Sequence, residues 1–159
     1  MKKLLGIVVL GLLLSSNAYA ELITLKDCYQ FKDQSTDGND VYEFKSLKEQ
    51  TAHKDIHYEN LLFTLDTVTE VITQTQILKE SYIEGMLKNN NYIMEKHQKL
   101  VFRITDLGGN VATAVYKGSY ENKIDVDFVA NKVYRIVKMK FSDGSGWTTR
   151  TVFQCKKQK

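Results

Sequence analysis

The chain contains no proline in its 159 residues, and no Gly/Ser-rich or low-complexity run interrupts it. Nothing therefore marks a linker between domains. Long apolar runs are also missing. The longest, Leu4 to Leu14, falls well short of the roughly 20 residues that a membrane-spanning helix requires. No cysteine stands near that run, the first being Cys28, so lipid attachment at a processed N-terminus is not expected. An excess of one charge is lacking too. There are 22 basic and 19 acidic residues, and setting aside Lys2 and Lys3, which belong to the leading segment, leaves the rest nearly neutral. A basic footprint for nucleic acid or an anionic membrane surface is absent.

What is present at the N-terminus has three parts: the positive pair Lys2 and Lys3, the short apolar run, and the small residues of Ala18-Tyr19-Ala20. Together they predict a signal peptide over residues 1–20, cleaved to leave Glu21. Residues 21–159 are then one exported domain, periplasmic or secreted, of a size that one core can stabilise. Export takes Cys28 and Cys155 into a compartment where disulfides persist. Bridged, they tie the first strand to the last and close a loop long enough that chain entropy favours the fold by on the order of 4 to 5 kcal/mol.

The periodicity is mostly two. Ile124, Val126 and Phe128 alternate with Asp125 and Asp127. Val137, Met139 and Phe141 alternate with Lys138 and Lys140, and Leu100, Phe102 and Ile104 with Val101, Arg103 and Thr105. Each pattern predicts a strand with one face buried. Residues 23–31, 58–65, 71–78, 111–120 and 147–155 are rich in Val, Ile, Thr and aromatics and join them. Turn-like links at 66–69, 106–110, 130–132 and 142–146 imply antiparallel neighbours. A faint echo relates Leu65-Asp66 before Val71 to Val126-Asp127 before Val133 and predicts two similar hairpins. Residues 43–54 and 79–91 read as short helices. The expected fold class is mostly β, an antiparallel meander of about 7 or 8 strands forming a small barrel or two-layer sandwich, with one or two short helices. The inverted arrangement, an outer-membrane barrel with apolar residues outward, is disfavoured by strands that look short for a bilayer and by the lack of aromatic girdles.

Few residues offer chemistry. The acidic loop from Asp33 to Glu43 places oxygen-bearing side chains at alternate positions before Gly38, so Asp33, Ser35, Asp37 and Glu43 are calcium candidates. Phe44 occupies the position where an EF-hand requires its bidentate Glu, which favours a plain solvated turn. His53 and His57 are four apart, a metal-binding spacing on a helix, but no further ligand is evident. Ser145 lies between glycines in a hairpin rather than at a strand-to-helix elbow. Asp125 and Asp127 face solvent. Trp147 and the other aromatics either fill a barrel or line a cavity in it.

No catalytic group is left over once strands, turns and bridge are assigned. The expectation is a non-enzymatic binding protein of the cell envelope, taking a small apolar ligand or a protein partner. A protein-directed inhibitor or assembly factor is the alternative, and a metal-dependent enzyme the third reading.

Overall fold

The computed structural model describes residues 22–36 and 42–158. The expected signal segment and Asp37 lie outside the described residues. Alternation produces eight strands: β1 (Leu22–Ser35), β2 (Tyr58–Asp66), β3 (Val71–Leu78), β4 (His97–Gly108), β5 (Val111–Lys117), β6 (Glu121–Asp127), β7 (Lys132–Lys140) and β8 (Gly146–Lys157). They pair antiparallel in chain order, and β8 returns to β1, so the sheet is a closed barrel rather than a sandwich. Two helices, α1 (Leu47–Ala52) and α2 (Glu80–Asn90), interrupt the meander where helices were expected. Phe141 and Tyr120 fall just beyond their strands, in the turns that follow β7 and precede β6.

The seam between β1 and β8 closes the ring. Pairing runs from Leu25 opposite Lys157 to Ser35 opposite Thr149. A disulfide joins Cys28 to Cys155 across it, linking residues 127 apart in sequence.

The two ends of the barrel differ. At one end the connections are tight, and two of them share one device. Asp66 Oδ1 accepts from the backbone N–H of Val68 and Thr69, and Asp127 Oδ1 accepts from those of Val129 and Ala130. A left-handed residue then closes each turn, Glu70 at φ 55° and Asn131 at φ 54°. The sequence echo is thus a repeated aspartate-capped turn. At the opposite end lie both helices and the turns 118–120 and 141–145. Here β1 and β2 part company. Their pairing covers only Leu22 to Leu25, beyond which Asp27 adopts φ 52° and the register of β1 slips. The segment around α1 packs beside both strands. Ser46 Oγ caps its start by accepting from the N–H of Glu49, whose carboxylate accepts from the N–H of Lys45; Phe44 is buried, and the fully buried Gln50 accepts from the backbone N–H of Gln30.

The core fills the tight-turn half. Ile23, Leu25, Leu61, Phe63, Leu65, Ile72, Phe102, Ala112, Ala114, Ile124, Val126, Val133 and Phe153 surround the disulfide. Phe63 and Phe153 meet at 5.6 Å between ring centroids. The outer surface carries charges at mid-strand, among them Arg103, Lys123 and Arg150. A lipid-facing barrel requires the reverse, so the inverted arrangement is overturned by which face is apolar. Strand length does not decide it, since β1 has 14 residues and β4 and β8 have 12 each.

Candidate ligand-binding site

Residues facing the lumen continue beyond the core toward the helix-bearing end, and there their chemistry changes. On β7 the inward series is Val133, Arg135, Val137, Met139. On β8 it is Cys155, Phe153, Thr151, Thr149, Trp147. These two strands pair directly, Arg135 opposite Thr151 and Met139 opposite Trp147. Between them and Tyr120 opens a cavity of about 340 Å³ lined by Tyr120, Arg135, Val137, Met139, Trp147, Thr149 and Thr151. A wider hollow of about 540 Å³ at the rim shares Tyr120, Met139 and Trp147 and adds Lys138, Lys140 and the 144–146 turn. The inner cavity is the more apolar of the two. Trp147, expected as core or cavity wall, is a wall, at the end of the barrel remote from the disulfide.

Arg135 sits where the packed half meets the hollow half. Its Nε donates to Asn122 Oδ1 at 3.0 Å. In a ring of eight strands β3 lies opposite β7, and the Arg135 side chain also lines a small hollow of about 190 Å³ with Gln74, Gln76, Gln98 and Leu100 from β3 and β4. Its guanidinium therefore belongs to the middle of the lumen. Burial pushes its pKa down, opposed by the Tyr120 and Tyr58 phenols. Burial likewise pushes Tyr58 up to about 12, against the pull of Arg135, so that phenol is neutral at physiological pH. Two buried amides beside this cation have an unused atom. Asn122 Nδ2 has no acceptor and Gln74 Oε1 no donor, although the two residues are 1% and 4% exposed. Ring contacts carry the wall outward from the core, Phe102 edge-on to Tyr116 at 6.2 Å and Tyr116 tilted against Tyr120 at 6.0 Å.

The other residues singled out from sequence lie apart from this cavity. Asp33 faces inward from β1 and is buried. Its Oδ1 accepts from Thr151 Oγ1 and its Oδ2 from Gln30 Nε2, both at 2.9 Å. Burial raises its pKa, with the Thr151 hydroxyl opposing. It fastens β1 to β8 just behind the cavity wall. Ser35 ends β1, Glu43 is exposed, and Asp37 lies outside the described residues. Among the described residues no group of three or more His, Cys, Asp or Glu side chains is disposed to hold a metal.

The two histidines do not share a helical face, because α1 ends at Ala52 before either is reached. His53 packs edge-on against Tyr42 and Phe44, and His57 stacks on Tyr82 at 4.2 Å. Ser145 closes the β7–β8 turn by bonding Asp143 through both its N–H and its hydroxyl. Asp125 accepts from Thr113 Oγ1 on the outer surface.

Arg135, Asn122 and Gln74 escaped the sequence reading. The available signal was parity. Arg135 and Asn122 each occupy the core-facing phase of a strand whose other members on that phase are apolar, and Gln74 follows Ile72 on the core-facing phase of β3, where Gln76 is polar as well. No described helix is long and apolar enough to cross a membrane. No known protein family, curated protein or solved structure matches the chain.

Proposed function

We propose that this is an exported, non-enzymatic binding protein of the cell envelope that takes a small, largely apolar ligand into the helix-bearing half of its barrel. The observation that carries the reading is the uneven lumen. One half is packed with aliphatic and aromatic side chains, while the other leaves open a cavity of about 340 Å³ walled by Val137, Met139, Trp147 and Tyr120. That volume falls within the usual range of small-molecule sites, roughly 300 to 1,000 Å³. Export is supported by the three-part leader in the sequence and by the Cys28–Cys155 bridge. A binding rather than a catalytic role is supported by the engagement of Asp33, Asp143 and Ser145 in turns and strand contacts.

The test uses the chain's one tryptophan, which stands in the cavity wall. Medium-chain aliphatic compounds titrated into the purified protein should shift and quench Trp147 emission saturably. Val137→Phe, which fills the cavity from a partly buried position, should abolish that response while keeping the fold. Unchanged emission with every compound up to its solubility limit, together with no small molecule released from protein purified out of the envelope, refutes the ligand reading.

A protein partner is favoured by one other observation. α2 buries none of its residues, and Leu87, Tyr92 and Ile93 on it and just after it are exposed. Substituting these three by Ser should remove any envelope protein recovered with the wild type.

A further inference from the structure

We infer that the ligand is a monocarboxylate of roughly ten non-hydrogen atoms, its carboxylate held by Arg135 on the cavity floor, with Asn122 orienting the guanidinium from behind, and its apolar body pointing to Trp147. This rests on the ligand-binding reading above. Three features of the floor carry it.

The first is a cation without an anion. Arg135 faces inward and, among the described residues, is ion-paired with no carboxylate. Asp33, two strands away at the seam, has both its oxygens engaged by Thr151 and Gln30. A guanidinium taken out of water at such a position is costly unless an anion joins it, and its planar fork matches a carboxylate bidentately. The second is a donor without an acceptor. Asn122 is 1% exposed, orients Arg135 by accepting from Nε at 3.0 Å, and leaves its own Nδ2 unpartnered. Arg135 thus offers its N–H groups to the cavity, backed by an amide whose own N–H lacks an acceptor, and a carboxylate supplies the oxygen lone pairs that such a cluster of donors wants. The third is the chemistry above the floor. Val137, Met139 and Trp147 suit a hydrocarbon body and bring no second charge. At the ~30 Å³ that a small molecule's worth of liquid occupies per heavy atom, the cavity of about 340 Å³ holds roughly eleven such atoms, the size of octanoate.

The experiment compares octanoate with octanol, its uncharged counterpart, by Trp147 fluorescence and calorimetry at pH 7.5. Wild-type protein should bind octanoate at least tenfold more tightly than octanol. Arg135→Met should weaken octanoate at least tenfold and leave octanol within about twofold. Asn122→Asp keeps shape and burial but places an internal carboxylate on Arg135. It should fold as well as the wild type and lose octanoate to the same degree, again sparing octanol, which guards against Arg135→Met simply failing to fold. Equal affinity for the two compounds in wild type, or an octanoate affinity indifferent to both substitutions, overturns the carboxylate assignment while leaving a ligand-binding barrel in place. Failure of both compounds to bind overturns the assignment together with the reading on which it rests.

Discussion

Removing the Cys28–Cys155 bridge tests how the barrel is held shut. The two cysteines are 127 residues apart, and a crosslink of that span restricts the unfolded chain by about 5 kcal/mol on the entropy model. Unfolding entropies run near 2 cal/mol/K per residue, which for a domain of this size is roughly 0.3 kcal/mol/K, so the loss corresponds to a fall in Tm of about 15 °C. Alanine is the replacement of choice. Both sulfurs are buried, Cys28 at 0% and Cys155 at 6% exposure, and buried serine hydroxyls would add a desolvation cost of about 1 to 3 kcal/mol each. The folded seam should survive, because β1 and β8 remain paired along their length. The effect therefore lies in the denatured ensemble, and urea unfolding of Cys28→Ala/Cys155→Ala should show a larger m-value, as an uncrosslinked chain exposes more surface. A Tm within about 3 °C of the wild type, or a large fall in Tm with no rise in m, would refute the reasoning.

Three further outcomes follow from the packing and the titrations. Phe102 is completely buried against Tyr116, so Phe102→Ala should cost about 3 to 5 kcal/mol in urea unfolding. Tyr58 is held at about 12 in the folded barrel against an ordinary 10.0. Its contribution is intact below pH 10 and lost as the pH climbs from 10 to 12, by at most about 2 to 3 kcal/mol, and Tyr58→Phe should flatten that decline in alkaline urea titrations. Glycines on opposite sides of the hairpin mouth and helix should behave oppositely. A Cβ at Gly146 would lie 2.1 Å from the Met139 carbonyl oxygen, so Gly146→Ala should destabilise by on the order of 1 to 3 kcal/mol, whereas Gly85 in α2 meets nothing within 4 Å and Gly85→Ala should slow amide exchange of α2 by about 0.5 to 1 kcal/mol.

Strands were legible because their inward phase is apolar over several consecutive turns of the pleat, as in Ile124 and Val126 or Leu100, Phe102 and Ile104. The disulfide was legible because export and two cysteines at the ends of a meander leave one pairing. Closure into a barrel was not. Whether the last strand meets the first depends on accumulated twist and stagger around the ring, which no local pattern encodes. The polar floor of the lumen was not legible for a different reason. Arg135 was read past because the β7 alternation was taken up only at Val137, and Asn122 because it sits at the edge of a short strand. Side chains opposed across a lumen, such as Arg135 and Gln74, are brought together by the ring alone, so neither hints at the other in sequence. The acidic loop attracted the metal reading through oxygen count, yet what fixes Asp33 is its strand phase, which turns it inward to Thr151.

On the ligand-binding proposal the interior divides a stability task from a recognition task, and the division can be measured. A lumen selected only to be stable would continue the apolar phase through Arg135, Asn122 and Gln74, whose orphaned amide atoms and unpaired cation are expensive to bury. Replacing buried ionic groups by apolar residues of similar volume is often neutral or stabilising, by up to about 4 kcal/mol. The triple variant Arg135→Met/Asn122→Leu/Gln74→Leu should accordingly unfold at higher urea concentration than the wild type, with an unchanged m-value, and should no longer prefer octanoate to octanol. Those two results together would mean that the polar floor is kept for its ligand at the expense of the fold. A triple variant less stable than the wild type would instead make Arg135 a structural strut, joining β7 to the opposite wall through Asn122 and the glutamines, and the recognition task would have to lie elsewhere on the barrel.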